Sequence, residues 1–323
     1  MATLPFLSED APIKGVKMSS EINNVTVLGT GVLGSQIIMQ NAWAGKNVVA
    51  YDISDEILEK LPERWEWIRG HYLRDVEDYS DEKFEEAITR ISSSSNLKEA
   101  VSNADIVIEA VPEVLDLKKQ VWAEVNEAAP EHAIFATNTS SLRPSDFMEA
   151  TGRPERFTTL HFANLIWRNN TGEVMRTPKT SDETFDAVLK FAESINLVPI
   201  PIQKEVPGYL LNSLLIPFLN AAANLWVNGY ASPEDIDKTW HVATKSVKSA
   251  FEMYDVVGFN VAYNINRARF GEEEGSFAWH LKRQIDRGVT GFASGKGFYI
   301  YDEEGNITGP NPDMVSPEAS ARS

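Results

Sequence analysis

A G-x-G-x-x-G turn at Gly29, Gly31 and Gly34 constrains this chain more than any other feature, because of what flanks it. The apolar run Val25-Thr26-Val27-Leu28 leads into it, and a helical pattern follows over 35–44. A second apolar run, Val48-Val49-Ala50-Tyr51, ends in Asp52. Strand, glycine turn, helix, strand and acid in that order form the dinucleotide-binding fingerprint. Gly29 permits the tight turn, Gly31 admits a pyrophosphate against the backbone, and Gly34 lets the helix pack on the strand. With Val32 and Leu33 these glycines form a helix start, where free N–H groups and the helix dipole favour an anion. Asp52 stands where a carboxylate hydrogen-bonds the adenosine ribose and repels a 2′-phosphate. No arginine or lysine follows it in Ile53-Ser54-Asp55-Glu56, so the expected cofactor is NAD. As a mere helix cap Asp52 would duplicate Ser54 and Asp55.

Charge and composition narrow the partners. A net charge of −17 argues against nucleic acid and against an anionic membrane surface, leaving a small molecule as the expected ligand. The absence of cysteine excludes disulfides, thiolate metal sites and a cysteine nucleophile, and no metal site is expected. Residues 1–20 read as a flexible arm with no apolar run of signal-peptide length, which makes the cytoplasm the default location. The stretch 210–227 is rich in leucine and alanine but carries Asn212, Pro217, Asn220 and Asn224. It reads as a buried helix of a soluble domain and not as a membrane span.

Alternation of strand and helix patterns sets the fold class. Helical patterns cover 56–79 and 81–90, a polar break covers 92–96, and apolar strands are expected at 104–110, 133–137 and 157–162. A further strand at 173–176, a helix over 181–194 and a strand at 197–202 complete the series. The expected architecture is α/β: a Rossmann-type doubly wound sheet followed by an all-helical C-terminal domain. Pro207-Gly208 marks the change of character. The expected division is thus 21–205 for the NAD-binding domain, 206–302 for the helical domain, and 303–323 for a disordered acidic tail.

His161 is the histidine best placed for chemistry, because it closes an apolar strand, and strand ends in such a sheet face the ligand crevice. Asn138-Thr139-Ser140-Ser141 follows another strand and should project into the same crevice. Glu173 lies near a strand just downstream and is suited to fix the imidazole tautomer. A histidine with a carboxylate orienter beside a nicotinamide site fits hydride transfer at a carbinol, the base taking the hydroxyl proton.

These residues carry a resemblance. The glycine turn, Ile108-Glu109-Ala110-Val111-Pro112-Glu113 with Lys118, Asn138-Thr139-Ser140-Ser141-Leu142, and His161-Phe162-Ala163-Asn164 followed by Glu173 occur in the order of the L-3-hydroxyacyl-CoA dehydrogenase family. Pro207-Gly208-Tyr209-Leu210-Leu211-Asn212 resembles that family's entry into its helical domain, and Gly295-Lys296-Gly297-Phe298-Tyr299 its C-terminal signature. The resemblance implies an NAD-dependent dehydrogenase of L-3-hydroxyacyl substrates, with His161 as general acid/base and Glu173 its partner. Ser140 and Asn212 would bond the reacting oxygen and position the acyl chain. Asp52, Glu113, Lys118 and Asn164 would contact the cofactor, and Asn138 is counted with them. The helical domain would build a homodimer.

Three departures bear on the substrate. The family's His-Phe-Phe-Asn-Pro is here His161-Phe162-Ala163-Asn164-Leu165, and Arg168 adds positive charge shortly after it. The lysine-rich helix that holds the CoA phosphates in the family is replaced by 62–78, which mixes aromatics with both charges. The glycine- and proline-rich loop of the helical domain has become 243–251, and the basic lead-in to Gly-Lys-Gly-Phe-Tyr has become 288–294. The resemblance makes a CoA thioester the first expected substrate, and these departures make a small free 3-hydroxy acid or polar hydroxy compound anchored by Arg168 the alternative. A non-catalytic NAD-binding protein is the reading from another class.

Overall fold

The computed structural model describes residues 21–314; the arm expected over 1–20 and the end of the expected tail, 315–323, lie outside the described residues. The chain divides into two compact units after Leu210.

The first unit begins with strand β1 (Asn24–Leu28), helix α1 (Val32–Trp43) and strand β2 (Asn47–Tyr51). Helices α2 (Asp55–Leu58), α3 (Leu61–Asp75) and α4 (Asp81–Thr89) lead to β3 (Ile91–Ser94). Then come α5 (Leu97–Val101), β4 (Ile106–Glu109), α6 (Leu115–Ala128), β5 (Ile134–Thr137) and β6 (Phe157–Thr159). These six strands are all parallel in the order β3-β2-β1-β4-β5-β6, the doubly wound order of dinucleotide-binding domains. Side chains alternate between faces: in β4, Ile106 and Ile108 pack with Ile37, Trp65 and Phe84, whereas Val107 packs with Trp122 and Phe147. Both faces are thus covered by helices, as a parallel sheet requires.

Two expectations are corrected here. The polar break at 92–96 begins as strand β3, whose residues Ile91–Ser94 pair with Val48–Tyr51. A sheet edge needs only one neighbour, so serines suffice and the apolar signal is missing. The strand expected over 157–162 breaks at Leu160. Its second half, β7 (His161–Phe162), leaves the main sheet and pairs antiparallel with β8 (Thr171–Met175). Helix α7 (Asp182–Ser194) follows, and β9 (Val198–Ile202) pairs parallel to β8.

The second unit is helical: α8 (Tyr209–Val227, entered from the first unit), α9 (Pro233–Thr244), α10 (Ala250–Val257), α11 (Phe259–Phe270) and α12 (Phe277–Ile285). Its core gathers Trp226, Phe251, Tyr254, Phe277 and Phe298. One antiparallel pair, β10 (Tyr299–Tyr301) and β11 (Ile307–Pro310), accompanies the helices. The expected disorder from 303 is therefore corrected as far as Met314, which is itself buried. Composition misled because Asn311, fully buried, donates to the Gly297 carbonyl and pins an otherwise polar segment. Two buried carboxylates organise this unit. Asp255 accepts from the N–H groups of Phe298 and Tyr299 at 2.7 and 2.9 Å and from the Tyr301 hydroxyl at 2.9 Å. Asp237 accepts from Phe251 N, Glu252 N and the Tyr299 hydroxyl.

Helix α8 is less buried than its composition suggested. Leu219, Ala222, Ala223 and Trp226 face the core, but Leu211, Leu214 and Leu225 are exposed. By length and composition alone it is the one described helix apolar enough to cross a membrane. The buried Trp226 face places it in the core of a folded domain.

Candidate active site

The glycine turn is built by close backbone approach. Gly29 has φ +99°, and a Cβ on it would lie 2.6 Å from the Ala110 carbonyl oxygen. A Cβ on Gly34 would lie 2.0 Å from the Gly29 carbonyl. Gly31 is different: a Cβ there would meet nothing within 4 Å, so only open space faces it. Helix α1 starts at this point with no side-chain cap and no acid in its first turn. Val32 is exposed and Leu33 half-buried. An uncapped helix start beside a bare glycine fits a pyrophosphate, which would bind the free N–H groups. Asp52 follows β2, with Oδ2 accepting from both the N–H and the hydroxyl of Thr30, each at 2.7 Å. Its Oδ1 accepts from Ile53 N at 2.9 Å. The turn and the acid that would read the ribose are thereby one rigid piece.

Lys118 and Glu113 do not project as a solvated face. Lys118 is 1 % exposed, with its ammonium 2.5 Å from Glu109 Oε1 and 3.3 Å from Glu113 Oε2. The pair forms because Glu113 precedes the helix that carries Lys118. Glu113 Oε1 in turn accepts from the N–H groups of Ser140 and Ser141 at 2.5 and 3.2 Å, and both its oxygens accept from the Thr139 hydroxyl. Burial pushes the Glu113 carboxyl up, but the Lys118 charge and these N–H donors hold it below the usual carboxylate range. Glu109, fully buried, also accepts from Thr137 Oγ1 at 2.7 Å. This network shapes the turn after β5 from below.

Asn138 opens that turn and uses its amide oxygen to accept from Phe162 N at 2.9 Å, tying β5 to β7. Ser140 is exposed, and its Oγ lies 3.1 Å from His161 Nε2. His161 and Glu173 are direct cross-strand partners in the β7–β8 ladder. The two residues are 6 % and 3 % exposed, and Nδ1 lies 2.9 Å from Glu173 Oε2. A carboxylate only accepts, so Nδ1 carries a hydrogen and Nε2 is left to exchange a proton on the Ser140 side. Three expected residues therefore meet at one imidazole. Asn212 lies half-buried on α8, in the second unit.

Asn164 and Arg168 sit on the turn after β7. Gln36 of α1 holds this turn: its amide donates to Asn164 Oδ1 at 2.7 Å and accepts from Leu165 N at 2.8 Å. Leu165 has φ +58°, a left-handed conformation in a non-glycine residue. Trp167 donates from Nε1 to Asp75 Oδ2 at 3.0 Å and packs on Tyr72 and His71. Arg168 is 54 % exposed with Nε 4.0 Å from the same Asp75 oxygen.

Sequence reasoning did not single out Thr30, Gln36, Glu109, Thr139 or Tyr209. Thr30, Glu109, Thr139 and Tyr209 lie inside the motifs themselves, which was the available signal. Gln36 gave none, because its partners are 128 and 129 residues away.

The sequence of residues 24–206 matches the family model for the NAD-binding domain of 3-hydroxyacyl-CoA dehydrogenase, and 208–301 matches that for its C-terminal domain. The chain belongs to the 3-hydroxyacyl-CoA dehydrogenase family. It is an NAD-dependent oxidoreductase acting on a CH–OH group of 3-hydroxyacyl substrates. Human mitochondrial hydroxyacyl-coenzyme A dehydrogenase is 32% identical over 289 residues, covering 87% of this chain and 91% of the relative. The probable 3-hydroxybutyryl-CoA dehydrogenase of Bacillus subtilis is 31% identical, covering 88% and 99%. Among solved structures, a diketoreductase described as acting on dicarbonyl compounds is 48% identical with TM-score 0.84, covering 88% of this chain and all of that one. The (S)-3-hydroxybutyryl-CoA dehydrogenase of Ralstonia eutropha is 28% identical with TM-score 0.73, covering 87% of this chain and all of that one.

Proposed function

We propose that this member of the 3-hydroxyacyl-CoA dehydrogenase family interconverts an L-3-hydroxyacyl compound and its 3-oxo form with the His161–Glu173 dyad as acid/base. The observation that carries this is the imidazole held between Glu173 on Nδ1 and Ser140 on Nε2. NAD, held by the turn at Gly29, Gly31 and Gly34 and by Asp52, supplies hydride acceptance when bound. His161 takes the hydroxyl proton at Nε2 in oxidation and returns it in reduction, while Glu173 stabilises the imidazolium. The Ser140 hydroxyl, aimed at the same nitrogen, orients the reacting oxygen. The first substrate class is the CoA thioester named in the curated relatives.

A second reading, a small dicarbonyl compound without a CoA tail, draws on the charges of α3. Arg69 is engaged by Glu66, Asp81 and Glu85, and Arg74 by Asp75, so these guanidiniums arrive already neutralised. A phosphate-rich tail would have to compete with those carboxylates on a chain of net charge −17. The diketoreductase described above supports the same reading, with Arg168 as the carboxylate anchor for an acidic member of the class. NADH oxidation measured in parallel with acetoacetyl-CoA, free acetoacetate and a small β-dicarbonyl ester decides between them. Turnover of the thioester alone supports the first reading, and turnover of the tail-less compounds alone supports the second.

The helical unit is proposed to dimerise. Leu214, Val242, Val261 and Phe270 are all at least half exposed there, an apolar set suited to a homodimer interface. Light scattering on the purified chain tests this, and a monomer at micromolar concentration would refute it.

A further inference from the structure

Tyr209 closes one face of the His161 imidazole. The two rings are stacked with centroids 4.2 Å apart and planes 12° from parallel. Tyr209 is 1 % exposed, and its hydroxyl donates to the Thr139 carbonyl at 2.7 Å. That carbonyl belongs to the residue before Ser140, so one side chain spans the imidazole and the turn that presents the serine.

The backbone here is built for this contact. Tyr209 has φ +56°, which L side chains with a bulky ring seldom adopt, and it follows Gly208 at φ +83°. Two bonds hold the strained turn: Tyr209 N donates to the Val206 carbonyl at 3.2 Å, and Leu210 N donates to Glu173 Oε1 at 2.9 Å. Both oxygens of Glu173 are therefore engaged, one by the imidazole and the other by the residue after Tyr209. The contacts at Nδ1 and Nε2 both lie at the ring's edge and leave its faces unsupported against tilting. A parallel ring against one face resists that tilt, and stacked rings at this separation are in favourable contact.

We propose that Tyr209 is a positioning residue for His161, fixing the imidazole plane so that Nε2 points at the reacting oxygen beside Ser140. The inference rests on the dyad being the acid/base. It assigns the stack, not the hydroxyl, as the part that orients the ring.

The full-length chain is compared with Tyr209→Phe, which keeps the stack, and Tyr209→Leu, which removes it. Steady-state kinetics with NADH and acetoacetyl-CoA or a small β-dicarbonyl ester are joined to NADH affinity, thermal melting and ¹⁵N NMR of the imidazoles. Tyr209→Leu is expected to lower kcat by about 10- to 100-fold, as small misplacements of a reacting group do, with KM and NADH affinity within about twofold. Tyr209→Phe is expected to stay within about threefold of the wild type. In the spectra, the single Nδ1–H tautomer of His161 persists in Tyr209→Phe and becomes averaged in Tyr209→Leu. An unchanged kcat and tautomer in Tyr209→Leu overturns the proposal. So does an equal loss in both variants, or a loss shared with NADH affinity and melting temperature. A wild-type chain inert toward every substrate that still shows the tautomer contrast refutes the functional reading and leaves the positioning role supported.

Discussion

Glu173 stands directly across the β7–β8 ladder from His161, with Oε2 2.9 Å from Nδ1. A cross-strand pair is held by two backbones, so the carboxylate is preset for the imidazole before any substrate arrives. Replacing Glu173 with Gln should leave the ladder intact but let the imidazole carry its hydrogen on either nitrogen. The expected loss in kcat is about 10²-fold or more, with NADH affinity nearly unchanged, and His161→Ala should lose about 10²–10⁴-fold. Stopped-flow turnover alongside NADH fluorescence titration checks both. A Glu173→Gln enzyme with wild-type kcat would remove the dyad from the mechanism.

The two glycines at the start of α1 should separate folding from cofactor binding. A methyl group on Gly34 would overlap the Gly29 carbonyl, whereas one on Gly31 meets open space. Gly34→Ala is expected to give a destabilised or insoluble chain. Gly31→Ala should melt within about 2 °C of the wild type yet bind NADH at least about tenfold more weakly, equivalent to about 1.4 kcal/mol. Equal NADH affinity in Gly31→Ala would mean that the pyrophosphate does not approach there.

Gln36 anchors the turn after the dyad strand through two amide bonds, to Asn164 and to Leu165. Gln36→Leu keeps the volume roughly constant and leaves the left-handed Leu165 turn without its latch. The expected destabilisation is about 1 kcal/mol, the net worth of such hydrogen bonds when the exposed Asn164 can turn to water instead. A larger KM for the hydroxyacyl substrate should accompany it, because the turn carries Asn164 and Arg168. Urea melts and substrate titrations measure the two effects, and a variant indistinguishable in both would show that the turn holds itself.

Asp255 gives the helical unit a pH dependence of definite sign. Burial pushes its carboxyl up to about 6, with the nearby Asp237 adding to the rise and the Phe298 and Tyr299 N–H groups opposing it. A raised carboxyl keeps its proton in the folded chain while the unfolded chain has lost it. Its contribution to stability is thus present below about pH 4 and declines as pH rises toward 6, by roughly 3 kcal/mol in all. The stability gap between the wild type and Asp255→Asn, followed by urea unfolding from pH 4 to 7, should shift in favour of the variant by that amount. Parallel curves would mean that Asp255 ionises in the fold as freely as in the unfolded chain.

Legibility in the sequence followed the range of the interaction. The glycine turn, the acid Asp52 after the second strand and the apolar strands of the sheet could be read locally, because close approach and two-sided burial impose glycines and apolar runs at fixed spacing. His161, Glu173 and Ser140 could be named as a set from strand ends and motif order. That His161 leaves the parallel sheet at Leu160 to pair with Glu173 is decided by tertiary pairing, since one residue of offset changes the sheet without changing the apolar pattern. The same holds for the serine strand at the sheet edge and for the segment up to Met314, where a neighbour's hydrogen bonds supply what composition lacks. The sequence by itself determined the NAD-binding class, the doubly wound domain and the choice of His161 and Glu173 as the candidate pair. Only the tertiary structure decided that Lys118 is buried between Glu109 and Glu113, that Gln36 latches the turn after His161, and that Tyr209 stacks on the imidazole. The Gln36 and Tyr209 contacts join residues far apart in the chain, which leaves no periodicity from which to read them, and Lys118 is turned inward by the fold of the loop before its helix, which spacing alone does not show.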